Sequence, residues 1–280
     1  MSALVAILAA LASSIAAQSA VLPVTPPSNR AQLEADLNLA QKVIDDPTSA
    51  SGDIETAGQF EQLATAALAR EPLATQRATL TGLGRTAAAV LRANLDAATH
   101  LARLASPRKA FPPWRVIAPP AAADLLGYFK AAQAQSGVPW EYLAAIEFVE
   151  SRFGRVHGLS TAGAQGPMQF LPASWARYGR GDVNNPRDAI FAAARYLVAN
   201  GARDAMANAL YHYNPSGDYV SAITDYALRM RADPRAYYGY YWWQVLYARR
   251  GRTFVLPVGY PRLRPVPVAV PGAHTRSPPA

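Results

Sequence analysis

The segment at residues 138–175, VPWEYLAAIEFVESRFGRVHGLSTAGAQGPMQFLPASW, reads as a short helix ending in a carboxylate, then a loop of small residues, then an aromatic and amide cluster. Pro139 suits the first turn of a helix, and Tyr142, Ala145, Ile146, Val149 and Phe153 repeat at helical spacing, which predicts one core-facing side. At about 100° per residue, Glu150 falls about 80° from Tyr142, on the shoulder of that side, whereas Glu147 falls about 140° away. Partial burial and the negative C-terminal end of the helix dipole both disfavour charge on Glu150. The pattern therefore predicts a carboxyl group that holds its proton near neutral pH. Glu147 is expected to be an ordinary helix glutamate, solvated or ion-paired.

The residues after Glu150 give that acid a context. They read ES.FG…S..GA.G.MQF.P.SW, from Glu150 to Trp175. Gly163, Ala164 and Gly166 let backbone approach a ligand closely. Ser160 and Gln169 can hydrogen-bond hydroxyl and acetamido groups, and Met168, Phe170 and Trp175 are expected to offer apolar faces to a sugar ring. Further on come NNPRDAIFAAARYL at residues 184–197 and ALYHYN at residues 209–214. Three motifs in this order resemble the catalytic core of the soluble lytic transglycosylases, bacterial enzymes of goose-type lysozyme fold that cleave peptidoglycan glycan strands.

The resemblance implies a mainly α, lysozyme-like catalytic domain in which Glu150 is the catalytic residue. It also implies that Ser160, Met168, Gln169, Phe170, Tyr213 and Asn214 bind substrate, with Tyr213 helping to position the glutamate. Glycoside cleavage usually takes two carboxyl groups, but here only Glu150 lies within a matching motif. In the family the sugar's own C6 hydroxyl attacks its anomeric carbon, which leaves a 1,6-anhydromuramic end and needs no cofactor. Two other readings stay open on the residues. One is hydrolysis on the same fold, with Asp182 or Glu147 assisting water, and the other is a peptidoglycan-binding protein that does not cut.

Outward from this core, residues 121–233 are expected to form the catalytic domain, beginning with a helix that carries Leu125, Leu126, Phe129 and Ala132 and ends at Gly137. Upstream, residues 107–120 are a proline-marked connector, since Pro112-Pro113 and Pro119-Pro120 stop either flanking helix from running through. Residues 21–106 carry three apolar stripes broken by Asp46-Pro47 and Glu71-Pro72, which predicts a helical hairpin or bundle. Downstream, residues 234–261 show two β-prone runs, 241–247 and 253–258, about a turn at Arg250-Gly251, and predict a β-hairpin laid on the helical domain. Residues 262–280 are proline-rich and are expected to be disordered.

Residues 1–20 are rich in Ala and Leu and end in small residues, the pattern of an export signal peptide, although no Lys or Arg precedes the apolar run. The expected location is the extracytoplasmic cell envelope. Zero cysteines exclude disulfides, thiolate metal sites and cysteine nucleophiles. His100, His157, His212 and His274 lack metal-ligand spacing, so no metal is expected. The formal net charge of +8 is concentrated at one end, where residues 231–280 hold eight arginines against the single acid Asp233. For an exported protein that end points to anionic wall polymers or a membrane surface rather than to nucleic acid. The chain is expected to act on peptidoglycan glycan strands as a monomer.

Overall fold

A computed structural model describes residues 22, 25–105 and 109–268; the signal-peptide segment, the start of the connector and the last twelve residues of the tail lie outside these. The chain is mainly helical. Four helices come first: α1 (Arg30–Asp45), α2 (Ser51–Leu68), α3 (Leu73–Gly82) and α4 (Arg85–Leu104). The third was not legible in the sequence because it buries only Thr79 and so carries no apolar stripe. Asn29 caps α1 by accepting from the Ala31 and Gln32 amides. Among the described residues no helix is long and apolar enough to cross a membrane.

The connector contributes a two-residue strand, β1 (Arg115–Val116). Helices α5 (Ala122–Ser136) and α6 (Trp140–Ser151) follow, then β2 (Val156–His157), which pairs antiparallel with β1. Gly137 ends α5 at φ 80°, the left-handed conformation its position predicts. Helices α7 (Pro172–Tyr178), α8 (Pro186–Ala199), α9 (Met206–Tyr213) and α10 (Gly217–Ala232) complete the helical region. At α8, Asn185 accepts from the Asp188 amide and Pro186 takes the first turn.

The aromatic run after α10 does not begin the hairpin. Residues 236–241 form a short helix, α11 (Ala236–Tyr241), and the strands start later, at β3 (Val245–Arg249) and β4 (Arg252–Leu256). Tyr237, Tyr240 and Trp243 are needed as core: each is buried against Phe148 or Phe153 from the end of α6. Six residues that must bury aromatic side chains in several directions fit a helix better than a strand with two faces. A third strand, β5 (Val266–Val268), pairs with β4 where the proline content predicts disorder. Pro267 is tolerated there because β5 is an edge strand.

The N-terminal helices pack directly on the rest. Helix α4 lies along α10, and α2 lies against α11. The closest approach is at Gly58 of α2, where an added Cβ would sit 2.5 Å from the Gly239 carbonyl oxygen. A buried polar chain crosses the same contact: Asn94 donates to Glu61 at 2.7 Å, and the Tyr240 hydroxyl donates to Asn94 at 2.7 Å. Tyr238 and Trp242 pack on both the N-terminal core and the main core, so the two are continuous.

Candidate active site

Helix α6 is buried almost all round. Trp140, Tyr142 to Phe148 and Ser151 are all inaccessible, and the solvent face that the helical wheel assigns to Glu147 does not exist. Glu147 is fully buried, and neither carboxylate oxygen has a hydrogen-bond partner. Burial pushes its pKa up to about 8, so the side chain is a neutral acid at pH 7. The expectation of a solvated or ion-paired Glu147 is thus corrected.

Glu150 sits one turn later, partly exposed at the wall of a cleft of about 750 Å³. Burial raises its pKa to about 7, partly offset by a hydrogen bond from Tyr219. The Tyr219 hydroxyl donates to Glu150 Oε1 at 2.8 Å. Tyr219 lies in the first turn of α10 and is itself buried. Burial and the adjacent Glu150 both raise the Tyr219 pKa, which keeps the phenol protonated as a donor. Among the described residues no other acid lines the cleft.

The chain turns sharply after Glu150. Arg152, Phe153 and Gly154 all have positive φ, at 54°, 57° and 76°. Two non-glycine residues in the left-handed region cost of order 1–3 kcal/mol each and persist only where the surroundings hold them. Phe153 is held by complete burial against Phe129, Phe148 and Tyr237. Ser151 fastens the turn: its hydroxyl donates to the Pro167 carbonyl at 2.6 Å and accepts from the Gly154 amide at 2.9 Å. The loop of small residues is thereby pinned to the end of α6.

The sequence-predicted binding residues divide into two groups. Ser160 and Gln169 line the cleft with Glu150. The Ser160 hydroxyl accepts from the Ala162 and Ala164 amides at 3.2 and 3.0 Å, and Gln169, at φ 49°, donates from its side chain to the Gly166 carbonyl at 2.9 Å. Met168, Phe170, Tyr213 and Asn214 do not line it. Met168 is completely buried and Phe170 nearly so, with its ring against Trp175, Tyr196 and Tyr213. Their apolar faces are spent on the core beneath the loop.

Tyr213 makes no hydrogen bond to Glu150. Its hydroxyl donates to the Met168 carbonyl at 2.6 Å, and its ring stacks parallel to Tyr219 at 6.5 Å. It therefore supports the tyrosine that holds the glutamate. Asn214 terminates α9, its amide donating to the Leu210 carbonyl and its carbonyl accepting from Ser216. The residue missed from sequence is Tyr219: a tyrosine at core spacing carries no local sign of a bond to an acid 69 positions away.

The far wall of the cleft is made by the connector and the C-terminal strands. Phe111, Trp114, Leu246 and Tyr247 line it together with Glu150. The proline-rich connector has carbonyls that no ladder satisfies, and the C-terminal segment supplies donors for them. Arg249 donates to Lys109, Tyr247 to Ala110 and Tyr260 to Pro112, at 3.0, 3.0 and 2.6 Å. Among the described residues no group of three or more His, Asp or Glu is arranged to hold a metal ion.

Comparison with known proteins places this geometry in context. Residues 127–218 match the family described as Transglycosylase SLT domain. A stretch of 75 residues, 27% of the chain, is 39% identical to a "Membrane-bound lytic murein transglycosylase F" of Thiobacillus denitrificans, covering 16% of that protein's length. No solved structure gives a significant match.

Proposed function

We propose that this chain, whose residues 127–218 match the Transglycosylase SLT domain family, is a lytic transglycosylase that cleaves the β-1,4 bond between N-acetylmuramic acid and N-acetylglucosamine in peptidoglycan. The observation that carries the reading is Glu150: a carboxyl group held near neutral pKa, gripped by Tyr219, at the wall of a cleft large enough for sugar rings. In the proposed reaction the protonated Glu150 donates to the bridging oxygen as the glycosidic bond breaks. The resulting carboxylate then takes the proton of the C6 hydroxyl as that oxygen bonds to the anomeric carbon. The glutamate ends as it began, and the product is a 1,6-anhydromuramic end.

The surroundings of the other two acids support a reaction run on one carboxyl group. Glu147 is sealed from solvent, and neither it nor Asp182 lines the cleft, so neither is positioned to activate water at the bond that Glu150 would protonate. Asp182 instead accepts from the Asn184 amide in its own loop at 2.9 Å. The expected place of work is the extracytoplasmic cell wall, where the substrate lies. Mass spectrometry of digested sacculi tests the chemistry. Muropeptide ends lighter by one water than hydrolysed reducing ends are expected, and ends of full hydrolysed mass would establish a muramidase instead.

A further inference from the structure

The cleft does not stop at Glu150. A second pocket of about 340 Å³ adjoins it, and the two share Pro113, Val156, Gly158 and Leu159 as common wall. The second pocket is lined by polar side chains: Arg115, His157, Gln165 and Asn184. Among the described residues no acid lines it. The Arg115 side chain makes no hydrogen bond or ion pair with any described residue, in contrast to those of Arg103, Arg229 and Arg231, which each meet a carboxylate.

Arg115 and His157 face each other as cross-strand partners in the β1–β2 pair. Burial and the neighbouring Arg115 guanidinium both hold the His157 pKa below its ordinary value, which favours the uncharged ring. The pair is built into the connector. Gly158 follows β2 directly, and a Cβ there would lie 2.6 Å from Trp114 Cδ1, so the missing side chain is what lets the connector close down on β2. Arg115 lies outside the matched stretch at residues 127–218, whereas His157, Gln165 and Asn184 lie within it.

We propose that this second pocket binds a carboxylate of the peptide that hangs from the muramic acid residues of the glycan, with Arg115 as its cation. The proposal rests on the reading of the main cleft as a peptidoglycan site. A strand lying past Glu150 carries its peptide substituents beside the chain, and an exposed guanidinium with no side-chain partner, beside a histidine and two amides, matches a planar anion. The pocket would make peptide-bearing strands better substrates than denuded ones.

The test compares the parent chain with Arg115→Gln on two substrates, intact sacculi fragments and the same strands stripped of peptide by an amidase. Loss of one charge-assisted contact is expected to lower the ratio of kcat/KM for peptide-bearing over denuded strands roughly tenfold. An unchanged ratio overturns the proposal, whether or not both rates fall. If the parent cleaves neither substrate, the reading of the main cleft fails, and equilibrium binding of the two strand types then decides the pocket separately. Tighter binding of peptide-bearing strands that is lost in Arg115→Gln supports it, and equal binding of both overturns it.

Discussion

Two glutamates one turn apart on α6 meet opposite surroundings, and their chemistry follows from that. Glu150 has an opening to the cleft and one hydrogen-bond donor, which holds its pKa at about 7, where both protonation states are accessible. If the acid form starts the reaction, kcat/KM should fall as pH rises through about 7. Tyr219 lowers that pKa by donating to the carboxylate, so Tyr219→Phe should move the falling limb to higher pH and lower kcat by about tenfold, the worth of one hydrogen bond to a charged group. An unmoved pH profile in Tyr219→Phe would remove the tyrosine from the mechanism.

Glu147 has neither opening nor donor, and its role is visible only as a stability effect. Its folded pKa of about 8 lies above the ordinary glutamate value of 4.5, and that of Glu61 lies at about 7 for the same cause. Their stabilising contribution is therefore complete below about pH 4.5 and is lost as pH rises through 7 and then 8. Glu147→Gln, neutral at every pH, should match the parent near pH 5 and exceed its Tm at pH 8 by roughly 5 °C or more. Thermal melts at the two pH values check this, and a parent Tm that does not drop between them contradicts it.

At the scale of elements, what the sequence revealed depended on whether an element has a solvent face. Helices α1, α2 and α4 each keep one, and their stripes were legible. Helix α6 keeps almost none, so the wheel that placed Glu150 on a buried shoulder gave Glu147 a solvent face that is filled by protein. The site was half legible for a related reason. Glu150, Ser160 and Gln169 are brought together by one local loop, whereas Tyr219 and the connector wall depend on contacts 69 to 148 positions apart that no local pattern records. The aromatic run at residues 237–243 could pack as helix or strand, and tertiary demand chose helix. The contact of α2 with α11 depends on the absence of a side chain at Gly58. Gly58→Ala gains helix propensity but drives Cβ into the Gly239 carbonyl, and a net loss of about 1–3 kcal/mol is expected in urea unfolding. A stabilised variant would show that the two helices can separate at no cost.

Across the whole molecule, segments on both sides of the matched domain converge on one cleft. The N-terminal helices brace α10, which carries Tyr219, and the connector and C-terminal strands line the cleft with Glu150. The matched stretch at residues 127–218 thus supplies the acid and its loop, while the flanking segments shape what lies beside them. The central claim is that Glu150 alone carries the proton in both half-steps, and Glu150→Gln tests it most directly. The purified variant, shown to be folded by an unchanged circular dichroism spectrum, should release no soluble muropeptides from sacculi that the parent chain digests. Release at the parent's rate by the folded variant would contradict the account.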